Sequence, residues 1–172
     1  MNKITYLIVP LVMLCILLVI DRLMQKRGYR YDERQMAARG TAYKYGFFTF
    51  LLCSIVFIAL SRLEIIWCED AMRPAVAVFF SAAVFSVTAI VLDAFDTLRD
   101  SPGKTIVSFW LGAAVCLIFG LRYLAYGHVI EDGVLTGRSA GFLSALLFFI
   151  IGAAELLHWL KYRGAGKDGD AE

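Results

Sequence analysis

The sequence predicts an all-α fold, a polytopic transmembrane helical bundle of about five spans, with the N-terminus outside and the C-terminus in the cytoplasm. Three observations predict it. The 172-residue chain is 60% hydrophobic and 19% charged, whereas soluble domains run roughly 45–50% apolar and about 25% charged. Its apolar residues gather into blocks, and blocks of about 17–25 residues match a hydrocarbon layer about 30 Å thick. Lysine, arginine and tyrosine, finally, are placed as a membrane protein places them.

The predicted spans are 4–20, 46–67, 74–92, 106–124 and 139–160, forming one bundle over 1–163 with a basic elbow at 21–45 and a flexible polar tail at 164–172. The first block, Ile4–Ile20, follows Lys3 but has no small-x-small cleavage site before Asp21, so it reads as a retained anchor and not a signal peptide. The second and fourth blocks are short at their strictly apolar cores. They reach spanning length only with flanking side chains that can snorkel. The fourth carries Gly112, Cys116 and Gly120 at four-residue spacing. Such a small-residue stripe suits close helix packing, within the bundle or between protomers.

Orientation follows from the basic residues loop by loop. The elbow carries seven, and with Arg99, Lys104, Lys161, Arg163 and Lys167 its side holds twelve against five on the other. That places the elbow in the cytoplasm. All eight tyrosines fall in loops or near span ends, where an apolar ring with a polar tip is favoured. The four cysteines (Cys15, Cys53, Cys68, Cys116) form no CxxC pair and no metal-ligand spacing, so no disulfide framework is indicated.

The stretch YRYDERQMAARGTAYKYGFFTF (29–50) contains a helix start. Asp32 followed three residues later by Gln35 makes a capping-box-like pair, with Glu33 suited to the positive helix N-terminus. The helix is expected to begin near Asp32 and to run, straight or bent at Gly40, into the second span. Asp32, Glu33, Arg34, Gln35, Arg39 and Lys44 form either a cytoplasmic docking or lipid-headgroup site, or simply a capped positive-inside anchor. Nucleic acid is a poor explanation, because the basic residues are spread out, mixed with acids and next to a membrane. Anionic lipid headgroups are the nearer counter-charge.

Ionisable residues near spans are the next candidates, since burying them in a bilayer is costly. Asp93 and Asp96 end the third span, and Glu155 and His158 lie three apart on the fifth, both pairs on the cytoplasmic side. Bundle di-metal sites need two Glu-x-x-His motifs and two further carboxylates. With two histidines in the chain, His128 and His158, predicted on opposite sides, that site is excluded within one chain. A single divalent ion among Asp93, Asp96, Glu155 and His158 is a weak alternative to ion pairing and capping. No cofactor is implied, and GxGxxG, P-loop, HExxH and GxSxG motifs are absent. An enzymatic assignment has almost nothing to rest on. The outer loop YGHVIEDGVLTGRSAG (126–141) carries an Asp-Gly turn at Asp132-Gly133 and reads as a plain connector, a small hairpin or a ligand lid.

Three stretches, YDERQMAARGTAYKYGFFTF (31–50), LDAFDTLRDSP (92–102) and EDGVLTGRSAGFLSALLF (131–148), resemble an uncharacterised family of small multi-span inner-membrane proteins of clostridia-type Gram-positive bacteria. The chain departs from that pattern at Val91, where Trp is expected, and at Gly137, where Phe is more usual. The resemblance implies residence in the bacterial cytoplasmic membrane and lends no activity. The function expected is a non-enzymatic accessory, sensor or regulatory membrane component, working with a membrane-protein partner or as a homo-oligomer. The alternative is a small oligomeric transporter or channel subunit. A membrane enzyme or metal protein built on the Asp93 cluster ranks third.

Overall fold

The computed structural model describes residues 32–95, 102–127 and 129–168, with side chains over 32–95, 103–127 and 129–161. The predicted first span, with Cys15, lies outside the described residues, as do Asp96 and His128. Among the described residues the protein is mostly helical, and four helices are long and apolar enough to cross a membrane. They are α1 (Glu33–Arg62), α2 (Met72–Val91), α3 (Pro102–Ala125) and α4 (Ala140–Asp168). A short hairpin, β1 (Ile130–Glu131) and β2 (Val134–Leu135), and a 3-10 turn (Gly137–Ser139) join α3 to α4.

Helix α1 is one continuous helix of 30 residues, close to 45 Å at about 1.5 Å per residue. That exceeds the ~30 Å hydrocarbon layer, so its polar first turns extend past the apolar stretch that begins at Tyr45. Gly40 does not interrupt it. It ends at Arg62, short of the predicted limit at Trp67. The reason is local: Glu64 adopts a left-handed φ of 57°, and Ile65 N–H returns to Leu60 O at 3.1 Å, the six-to-one bond of a Schellman motif. Helix α2 ends the same way. Asp93 has φ 56°, and Ala94 N–H donates to Ala89 O at 2.8 Å. Asp at this position needs no glycine because its short polar side chain tolerates the left-handed region. Helix α4 continues to Asp168, through the first part of the predicted tail.

Helix α1 packs on α2, α2 on α4, and α4 on α3, so α2 and α4 are the inner pair. Small residues set both outer contacts. A Cβ at Gly46 would lie 3.1 Å from Phe85 Cβ, and Ser81 Oγ donates to Gly46 O at 2.9 Å. Beside it the Tyr43 and Phe85 rings stack with centroids 4.6 Å apart. Between α3 and α4 the approach is backbone to backbone: a Cβ at Gly141 would meet Gly120 N at 3.1 Å and Cys116 O at 3.3 Å. Gly120 faces the Phe142 ring and Gly112 the Phe148 ring. The stripe Gly112–Cys116–Gly120 therefore lies on the face of α3 turned towards α4.

Loops 63–71 and 126–139 share one end of the bundle, the hairpin end. Asp132 and Gly133 both have positive φ, 52° and 77°, the backbone of a type I′ turn. They set the register Ile130↔Leu135 and Glu131↔Val134. The first loop meets this hairpin at a single parallel bridge, Cys68 opposite Leu135: Leu135 N–H donates to Trp67 O at 3.0 Å, and Glu69 N–H to Leu135 O at 2.9 Å. Beneath it Cys68, Met72 and Val76 form a buried cluster flanked by Phe57, Trp67, Leu135 and Leu143. Burial is the main cause that pushes the Cys68 thiol above its ordinary range, opposed by the neighbouring Arg73 guanidinium.

Candidate functional site at the elbow end

The start of α1, the turn after α2 and the last described side chains of α4 meet at the other end. Asp32 caps α1 in extended conformation, its carboxylate accepting from Arg34 N–H at 2.5 Å. Gln35 Oε1 accepts from Asp32 N–H at 3.3 Å, completing a capping box. The other end of the same amide reaches across the bundle, where Gln35 Nε2 donates to Asp93 O at 3.1 Å. A reciprocal cap fixes the side chain, and the fixed side chain then bonds a second helix end.

Asp93 is the hub. Its left-handed backbone aims the carbonyl outward from the end of α2, where Gln35 meets it. Its carboxylate accepts from His158 Nε2 at 3.1 Å, with Asp93 and His158 side chains 46% and 23% exposed. Ala94 next to it is fully buried, which holds the turn against the bundle. One turn before His158, Glu155 is buried at 5% exposure and engaged in an interaction of its own, as are the half-buried Arg39 and Trp159. Glu33, Arg34 and Lys44 are exposed.

The geometry thus divides the six elbow candidates into two sets. Asp32, Gln35 and Arg39 are tied into the fold, while Glu33, Arg34 and Lys44 point away from it. Of the polar cluster, Asp93 and His158 are brought into contact and Glu155 sits one turn along the same helix, whereas Asp96 lies outside the described residues. No group of three or more His, Cys, Asp or Glu positioned to hold a metal ion occurs among the described residues. The participant that sequence reasoning missed is the Asp93 main-chain carbonyl. An Asp at the end of an apolar block is a signal for a left-handed helix terminus, but its partner 58 residues away leaves no local trace.

Apart from this site, a groove of about 470 Å³ runs between α3 and α4 at mid-helix, lined by Trp110, Ala113, Leu117, Phe142, Ala145 and Phe149. Its lining is apolar, so it offers no directional recognition.

Comparison with protein-family models, with curated proteins and with solved structures gives no match.

Proposed function

We propose that this chain is a non-enzymatic integral membrane protein of a bacterial cytoplasmic membrane, an accessory or regulatory component that presents a rigid elbow to a membrane-protein partner. It threads the membrane five times, with the N-terminus outside and the elbow and C-terminus in the cytoplasm, and it belongs with the small multi-span inner-membrane proteins it resembles. The observation that carries this reading is the double use of Gln35, which fixes the start of α1 to the turn after α2. An anchor alone needs only basic residues. A locked helix start holds Glu33, Arg34 and Lys44 in a fixed array on the exposed side, which suits recognition and adds lipid-headgroup contacts from the two cations.

Charge reversal of the exposed cations, Arg34→Glu with Lys44→Glu, tests it in native membranes. The expected outcome is normal insertion and loss of a specifically co-purifying membrane protein. If the parent retains no specific partner, or if the double variant keeps it, the reading fails. Arg39 is left unchanged because it is engaged within the fold.

One observation favours the second reading, a small oligomeric transporter or channel subunit. Glu155 is buried inside the bundle on a helix long enough to span, and ionisable groups within spans mark pathways. Glu155→Gln that abolishes a measurable ion or solute flux in proteoliposomes supports it. Absence of any flux in the parent removes it.

A further inference from the structure

We infer that the hairpin end is a lipid-contacting cap, seated in the interfacial layer of a phospholipid bilayer and not held out in water. The inference rests on the reading of α1 to α4 as membrane spans. Leu63, Ile65, Ile66, Tyr126 and Ile130 all lie beyond the ends of α1 and α3, and all are between 47% and 69% exposed. A water-exposed loop pair this short has no reason to display five large apolar side chains, although single ones are ordinary. They continue the uncovered apolar faces of the helices themselves, from Ile58 on α1 and Leu124 on α3.

Two independent features fit the same depth. The loop backbone keeps its hydrogen bonds to itself: Ile65 to Leu60, Leu135 to Trp67, Glu69 to Leu135, and Thr136 to Val129. Irregular backbone next to hydrocarbon is tolerated when its polar groups are satisfied within the protein. Two pairs of charges are also matched locally, while Glu64 and Asp132 remain on the exposed side. Arg73 pairs with Asp70 at 3.3 Å and Arg138 with Glu131 at 3.4 Å. The Glu69 carboxylate accepts Gly137 N–H at 2.7 Å, where negative charge suits a helix start. The aromatic and aliphatic rim then sits at the level where amphipathic rings are favoured.

Tryptophan depth quenching tests it on the full chain in liposomes. The added emission of Ile66→Trp over the parent is measured with phospholipids brominated near the headgroup end of their acyl chains, and with aqueous iodide. The expected result is loss of most of the added emission to the brominated lipid and little to iodide. No loss to brominated lipid with strong iodide quenching overturns the inference. Ile55→Trp, mid-helix on α1 and 63% exposed in the parent, is the control. If Ile55→Trp is quenched by lipid and Ile66→Trp is not, the spans stand and the cap fails. If neither is quenched by lipid, the membrane reading itself fails. Ile130→Trp repeats the test should Ile66→Trp not fold.

Discussion

At the residue scale, Gln35 and Asp93 carry the most structure per side chain. Gln35→Glu keeps an acceptor for Asp32 N–H but sets a carboxylate against the Asp93 carbonyl. Losing one exposed hydrogen bond costs about 0.5–1.5 kcal/mol. The expected result is a lower melting temperature in detergent with α-helix content retained, read by circular dichroism. Asp93→Gly separates the two roles of that residue. It keeps the left-handed turn at no steric cost and loses the His158 contact, so any destabilisation it shows belongs to the carboxylate. Cys68 gives a third expectation. With the thiol's pKa raised in the fold by burial, less thiolate exists than in the unfolded chain, so maleimide labelling of Cys68 in the folded protein is slower than after unfolding. The sign for stability follows: the folded state retains its proton longer, so this contribution is intact below the ordinary thiol range and is lost as pH rises beyond ~8.5. Of this scale, the sequence made the cap legible, because Asp32 and Gln35 are three apart. It hid the Asp93 tie, because a side-chain amide bonding a distant carbonyl has no spacing rule.

At the scale of elements, the helices follow from block length and the caps, and their ends depart from block length for a reason the residues show. Glu64 and Asp93 terminate α1 and α2 in left-handed turns where glycine is usual, so the last residues of the predicted span 46–67 fall in a loop that bridges to Leu135 instead. The Asp-Gly turn at 132–133 was readable as a hairpin. Its pairing with Trp67 and Glu69 was not, since two-residue strands leave no periodic pattern. Glycine substitutions separate packing from propensity. Gly141→Ala sets a methyl 3.1 Å from the backbone of Gly120 and is expected to destabilise by about 1–3 kcal/mol through overpacking. Gly40→Ala has nothing within 4 Å and is expected to stabilise α1 by up to ~1 kcal/mol through helix propensity. Paired melting curves of the two variants check both signs.

At the scale of the whole molecule, composition and the asymmetry of Lys and Arg set the class of protein, and the four long apolar helices agree with that class. What composition does not encode is the lateral order of helices, with α2 and α4 inside and α1 and α3 outside. Every span is apolar on most faces, so hydropathy does not distinguish a lipid face from a packed one; small residues such as Gly46, Gly120 and Gly141 do. The central claim is that these helices thread a membrane with the elbow and hairpin ends on opposite sides, the elbow being cytoplasmic. The most direct measurement is labelling of Gly40→Cys and Glu131→Cys in cells with a membrane-impermeant maleimide. The expected result is labelling of Glu131→Cys in intact cells and of Gly40→Cys only after permeabilisation. The reverse pattern, or equal labelling of both in intact cells, would contradict it.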